Sequence, residues 1–279
     1  MPPDQVTHYR EFCNYRKEGD KTGTVDLRSC AFIYPTTTLP LITCQAKYGW
    51  TLSLDESSDT GGYLSYIISR GQRNPYGRSY VAPVALPQDY RECESVLEAV
   101  YSLQSRGGWF DENTAAFKYV VGELVDNIYQ HSLFDYAYIM AQRYPARRFV
   151  ELCFYDDGIG IPGSFQLAGK RCSRANHYRA IYDAMRGVST KPEEGRGYGL
   201  SSNVEMFRDV GGEVLIVSGF GAVFLNRHEV IPYQLDGSTQ MEGTLVSIRV
   251  RDGTRIPNIY EYAEGNSTLE ELSPPERRL

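Results

Sequence analysis

A carboxylate, an amide and an imidazole recur every four residues in the segment GELVDNIYQHS, at Glu123, Asn127 and His131. In an α-helix, positions i, i+4 and i+8 drift by only about 80° in total, so these side chains share one face. A polar face is also typical of an ordinary surface helix. A carboxylate and an amide on one face become chemically useful only if other segments complete a site.

The segment FVELCFYDDGIG provides one such partner. Along a strand that ends at Asp156, this aspartate points to the same side as the apolar residues at alternate positions before it. A buried carboxylate needs hydrogen-bond donors. Gly158 and Gly160 then allow the backbone to approach a flat ligand closely. An ordinary Asp-Gly turn is the alternative interpretation.

A second glycine-rich segment, EEGRGYGLSSN, places Gly195, Gly197 and Gly199 before a predicted helix. Backbone N–H groups and the positive end of the dipole make a helix N-terminus suitable for phosphate. The spacing is G-x-G-x-G-L and the segment follows a loop, so it differs from the dinucleotide fingerprint G-x-G-x-x-G. The segment GSFQLAGKR also lacks the P-loop spacing.

The elements that must position these residues follow from hydrophobic periodicity and from turn residues. After a short polar start, the pattern predicts a strand in 24–35, a helix, a second strand and a helix in 63–71. Helices are predicted from Arg91 and around the Glu123 motif. The predicted later strands are 138–142, 148–156 and the segments GGEVLIVSG, AVFLNR and GTLVSIRV.

Composition limits the class of protein. With 279 residues, of which 42% are hydrophobic and 23% charged, the chain is expected to fold. A net charge of −6 argues against a general nucleic-acid binder. No apolar run reaches the roughly 18 residues that a membrane helix needs, and no signal peptide is recognisable. The cysteines form no C-x-x-C motif, so we expect reduced thiols in a cytoplasmic protein without a membrane partner.

In order, the three segments resemble the N box and the two glycine boxes of the GHKL ATP-binding superfamily, which includes sensor histidine kinases and anti-sigma-factor kinases. The segment GTLVSIRV resembles the closing strand of that fold. The resemblance covers about residues 91–252. It implies an α/β class, an α+β sandwich of the GHKL (Bergerat) type with helices on one face of a mixed sheet.

The domain organisation predicted with this resemblance has four parts. A small β-α-β-α domain, loosely similar to STAS domains, occupies 1–82. A linker follows at 83–90, the GHKL domain at 91–262 and a polar tail at 263–279.

The resemblance also implies roles for residues. Asp156 would accept a hydrogen bond from adenine, with Thr244 nearby, Asn127 would bind Mg²⁺, and Glu123 would be the general base. The further nucleotide-binding residues implied are His131, Gly158, Gly160, Lys191, Gly195, Arg196, Gly197, Gly199 and Leu200. For His131, a phosphate contact and a helix-end cap both stay open. The span 163–194 would form a flexible lid over ATP.

The function implied is that of a regulatory serine/threonine protein kinase, similar to anti-sigma-factor kinases, or a slow ATPase. Its cofactors would be ATP and Mg²⁺, and its partner a STAS-like or sigma-factor-like regulatory protein; a homodimer stays open. The alternative is a nucleotide-gated interaction module with little turnover. A GHKL clamp acting on nucleic acid would need a basic surface. We also find no H-E/D phosphoacceptor hairpin before the ATP domain, which argues against an ordinary sensor histidine kinase.

Overall fold

The structure is a computed structural model, which describes residues 5–69, 79–107, 114–188, 190, 198–255, 257, 262, 269 and 277–278. The helices in these residues are α1 (Gln5–Thr22), α2 (Pro35–Tyr48), α3 (Asp59–Ser69), α4 (Cys93–Gly107), α5 (Thr114–His131), α6 (Gly160–Leu167), α7 (His177–Met185) and α8 (Tyr198–Asp209). The strands are β1 (Thr24–Asp26), β2 (Thr51–Ser53), β3 (Tyr80–Ala85), β4 (Ala137–Tyr144), β5 (Phe149–Asp156), β6 (Glu213–Gly219), β7 (Gly221–Leu225), β8 (Val230–Gln234), β9 (Met241–Arg251) and β10 (Arg277–Arg278).

Eight strands form one sheet in the order β10-β8-β7-β6-β9-β5-β4-β3, and β1 pairs with β2 in a small parallel sheet. Within the large sheet every neighbouring pair is antiparallel except β10 and β8. The predicted mixed α/β class is confirmed at this level. None of the described helices is long and apolar enough to cross a membrane.

Strand β5 is buried along its whole length because helices cover both faces of the sheet. Its residues Leu152 and Phe154 belong to the hydrophobic cluster formed with α4, α5, α7 and α8. Cys153 and Tyr155 belong to a second cluster, formed with α1, α2 and α3. The sequence predicted helices on one face of the sheet only. This holds for α4, α5, α7 and α8, which follow residue 91. Helix α2 packs on the opposite face, against β4, β5 and β9.

The N-terminal order of strand, helix, strand, helix is confirmed by β1, α2, β2 and α3. The predicted strand 24–35 was too long, because Pro35 lies in the first turn of α2, where a proline is favoured. The predicted polar start was wrong. It contains α1, whose residues Val6, Tyr9 and Phe12 are buried at helical spacing.

Residues 5–69 share one hydrophobic cluster with the large sheet. The segment predicted as a linker, 83–90, begins inside β3, the edge strand. Pro83 lies there at a register shift between Val81 and Val84, a position that tolerates the missing N–H group. The predicted division into two domains stays a prediction, and its two parts are packed together.

The span 163–194 was predicted to be a flexible lid. In the structure α6 and α7 occupy much of it, and Tyr178, Ile181 and Met185 of α7 are buried in the core. The prediction was therefore wrong for the residues up to 188, because α7 has an apolar face that packs on the sheet. Residues 189 and 191–197 lie outside the described part of the chain.

A buried ion pair joins the N-terminal segment to the sheet. Glu151 and Arg249 are register partners on β5 and β9, and their side chains meet at 2.8 Å. The backbone N–H and the hydroxyl of Thr36 donate to the other carboxylate oxygen at 3.0 and 2.7 Å. The Arg249 guanidinium lies over the rings of Phe149 and Tyr34. Glu151 is fully buried, so these donors replace the water that would otherwise hydrogen-bond to its carboxyl group.

We predict that Glu151→Ala lowers the free energy of unfolding by about 3 kcal/mol, because it removes the carboxylate that lies 2.8 Å from the buried Arg249 guanidinium. Urea unfolding followed by circular dichroism measures this loss. The matched control is Arg28→Ala, which removes the exposed pair between Arg28 and Asp26 and should change stability far less. Equal losses in the two variants would contradict the prediction.

Candidate functional site

A cavity of about 470 Å³ lies between α5, α6 and the large sheet. The predicted site residues that line it are Glu123, Asn127, His131, Asp156, Gly160, Gly199, Leu200 and Thr244. Gly158 lies in the adjoining turn. Lys191, Gly195, Arg196 and Gly197 lie outside the described residues. Segments far apart in the sequence thus meet at one cavity, although their binding roles stay predictions.

Helix α5 has an apolar face in the core and a polar face at the cavity. Its residues Phe117, Val120 and Val121 are buried in the core and anchor the helix. Glu123 and Asn127 are half-buried and line the cavity from the other side. The apolar stripe therefore fixes the position of the polar side chains.

Asp156 lies at the end of β5, at the wall of the cavity, and the residue is only 3% exposed. Its register partner across the sheet is Thr244, and its Oδ1 accepts the N–H of Gly158 at 3.0 Å. Burial raises the pKa of Asp156 to about 7, and the neighbouring Asp157 adds to this, although N–H groups of Gly158 and Thr244 act in the opposite direction. The charged form of such a desolvated carboxyl would be stabilised by any further hydrogen-bond donor that enters the cavity.

Ser218, on β6, was not predicted, and it joins the start of α6, which follows the turn after Asp156, to β9. Its hydroxyl donates to the carbonyl of Gly243 at 2.8 Å and accepts the N–H of Ile161 at 3.0 Å. Gly160 has a φ of +69°, and a Cβ built there would lie 2.5 Å from Ser218 Oγ. The position therefore requires glycine. The sequence signal for Ser218 is weak, since it is one polar residue in the apolar strand β6.

Gly199 lies directly against Glu123. A Cβ built on Gly199 would overlap the carboxylate oxygen Oε2 of Glu123. Gly199 is the second residue of α8, so the carboxylate meets the N-terminal turn of a helix, where negative charge is stabilised. The described end of the second glycine segment and the α5 motif thus form one wall.

Asn127 and His131 complete the α5 face. The side-chain nitrogen of Asn127 is buried and has no hydrogen-bond partner within the described parts of the chain. His131 is the last residue of α5, and its Nδ1 lies 3.3 Å from Thr190 Oγ1 and 3.5 Å from Ser164 Oγ. These two hydroxyl residues were not predicted. The position at the helix end keeps both interpretations of His131 open.

In the residues that the structure describes, no group of three or more His, Cys, Asp or Glu could hold a metal ion by itself. Comparisons with protein-family models, with curated proteins and with solved structures find no match for this chain.

We predict that Asp156→Asn stabilises the ligand-free protein, relative to the wild type, increasingly as the pH rises from about 4 to about 7, and that the difference levels off above this range. Because the folded-state pKa is raised, the stability that Asp156 contributes is complete at acid pH and is lost as the pH rises through about 7. The loss approaches about 1.4 kcal/mol per pH unit at most, and an amide does not titrate.

Urea unfolding of both proteins across this pH range measures the difference. The matched control is Asp209→Asn, at an exposed aspartate. Its free energy of unfolding relative to the wild type should not increase with pH over this range. A pH-independent difference for Asp156→Asn would contradict the prediction.

Proposed function

We propose that the chain is an ATP- and Mg²⁺-binding protein of the GHKL type. It would act as a regulatory serine/threonine protein kinase, in the manner of anti-sigma-factor kinases, or as a slow ATPase on a protein partner. One observation carries the proposal: the α5 motif, the turn after β5, the start of α8 and Thr244 meet around a single cavity that contains a buried carboxyl. A STAS-like or sigma-factor-like protein is the partner class that we propose.

The adenine end of the cavity would be at Asp156. An exocyclic amino group is a donor that a buried carboxylate needs, and binding it would offset the desolvation that raises the pKa of Asp156. Guanine has a carbonyl acceptor at the corresponding ring position and would face the carboxylate unfavourably. Apolar side chains of Phe154 and Val246 also line the cavity and suit a flat ring.

The phosphate end would be at Asn127, Glu123 and the start of α8. The residues present fit a magnesium ion that takes a protein oxygen and completes its shell with phosphate oxygens and water. Asn127 would supply that oxygen, and its side-chain nitrogen is buried without a hydrogen-bond partner within the described residues. The N-terminal turn of α8 faces the same region.

Glu123 would be the general base. When bound, ATP supplies a transferable phosphoryl group and Mg²⁺ offsets the charge of its oxygens. The carboxylate of Glu123 would accept the proton of the attacking water or hydroxyl group, and it would hold that nucleophile in line. It lies against Gly199 at the start of α8, where the helix dipole stabilises negative charge.

A nucleotide-gated interaction module is the second candidate, and the contacts of His131 favour it. The imidazole joins the cavity wall to Ser164 on α6 and to Thr190 after α7. A phosphate that bound His131 would compete with these hydroxyl groups and change the surface that follows α7. Such a change needs no turnover.

The first test is calorimetric titration of ATP with and without Mg²⁺. We predict that Mg²⁺ strengthens ATP binding to the wild type by about tenfold or more, and that Asn127→Ala removes most of this gain because a metal ligand is lost. Asn226→Ala, in the turn between β7 and β8, is the control and should keep the full effect. An Asn127→Ala protein whose ATP affinity still rises equally with Mg²⁺ would exclude the ligand role.

The second test separates the two candidate functions. We predict that Glu123→Gln keeps ATP affinity and loses phosphate release by a factor of about 10² to 10⁴, because the general base is removed. Glu98→Gln, at an exposed glutamate of α4, should leave both properties unchanged. Tight binding by the wild type without phosphate release or transfer would favour the gated module. Unchanged release by Glu123→Gln would contradict the role of the base.

A further inference from the structure

Lys47, on α2, contacts two chain segments that also form the cavity. Its ammonium group lies 2.8 Å from Asp157 Oδ2 and 2.8 Å from Glu242 Oε1. Asp157 follows Asp156 directly in the chain, and Glu242 lies two residues before Thr244. One cation of the N-terminal segment therefore joins the turn after β5 to the start of β9.

The two carboxylates bound by Lys47 are held at several points. The other oxygen of Asp157 accepts the N–H groups of Asp135 and Tyr136 at 2.9 and 2.7 Å. Glu242 also accepts the hydroxyl of Tyr48, at 2.6 Å. Helix α2 thus contacts Glu242 through two consecutive residues, which fixes the start of β9 relative to the N-terminal layer.

Close packing of Gly243 on Asp156 connects Glu242 to the cavity wall. Gly243, next to Glu242, has a φ of +74°, and a Cβ built on it would overlap the carbonyl oxygen of Asp156. A displacement of either segment would therefore displace the other. The side chain of Asp157 is only 1% exposed and that of Lys47 is 22% exposed, so water replaces this ion pair poorly.

We propose that Lys47 is a positioning residue of the cavity, through which α2 fixes the Asp156 carboxyl and the start of β9 against the base of a bound nucleotide. Lys47 is not among the residues that line the cavity, and it acts through Asp157 and Glu242. The part that concerns nucleotide rests on the function proposed above. The part that concerns the turn does not, because it can be measured without a ligand.

The ligand-free test is hydrogen–deuterium exchange of the turn amides. In the wild type the N–H of Gly158 donates to Asp156 and that of Ile159 donates to the carbonyl of Ser132. In Lys47→Met these amides should exchange faster, and Lys47→Arg should restore slow exchange because it keeps the charge and the donors. Arg28→Met, which removes an exposed pair of the N-terminal segment, should leave them unchanged.

Asp157→Asn is the second variant if Lys47→Met does not fold. It keeps an oxygen for the N–H groups of Asp135 and Tyr136 and removes the ion pair with Lys47. Faster exchange of the turn amides in this variant would support the proposal. Wild-type exchange in a folded Lys47→Met or Asp157→Asn protein would overturn it.

The nucleotide test compares ATP with inorganic triphosphate in calorimetric titrations. Lys47→Met should weaken ATP binding by about tenfold, as expected for a displaced charge-assisted contact, and should leave triphosphate binding unchanged. Equal losses for both ligands, or an unchanged affinity for ATP, would overturn the nucleotide part of the proposal. If the wild type binds neither ligand, the proposed function fails, and the exchange result still decides whether Lys47 positions the turn.

Discussion

The buried carboxyl of Asp156 is the constraint on which the candidate site depends. Removing a carboxylate from water is unfavourable unless donors surround it, and here burial raises its pKa to about 7. The local structure keeps the group at the cavity wall: Gly158 donates to it, and Ser218 ties the following turn to β9. The desolvation of Asp156 is unfavourable for its charged form, and a ligand with a suitable hydrogen-bond donor would offset it.

Different helices pack on the two faces of the large sheet. On one face, α5 and α8 bring Glu123 and Gly199 together and close the cavity. On the other face, α1 and α2 complete the core and bury the pair of Glu151 and Arg249. Lys47 connects the two sides at the end of β5. The N-terminal segment is thus part of the structure that supports the cavity, whatever further role it has.

Hydrophobic periodicity and turn residues were sufficient to predict most elements, because α5 and β5 have strong patterns of their own. The expectation that residues as distant as Asn127 and Thr244 meet at one cavity came from the resemblance to a known family. Two of the missed elements and two of the missed residue roles show where these patterns are insufficient. α1 was missed because its buried residues are interspersed with charges, and β8 was missed because Pro232 lies within it. The role of Ser218 arises only when the start of α6, at Ile161, lies beside β6 and β9. Lys47 likewise acquires its partners only through the packing of α2 on the sheet.

The most direct measurement is the affinity of ATP, with Mg²⁺ present, for the wild type and for Asp156→Asn near neutral pH. If the cavity holds adenine on this carboxyl, the wild type binds ATP and the variant binds about tenfold or more weakly, as expected when a charge-assisted hydrogen bond is lost. Circular dichroism spectra that agree between the two proteins establish that the fold is intact. Equal affinity in the two proteins, or no binding by the wild type, would contradict the account.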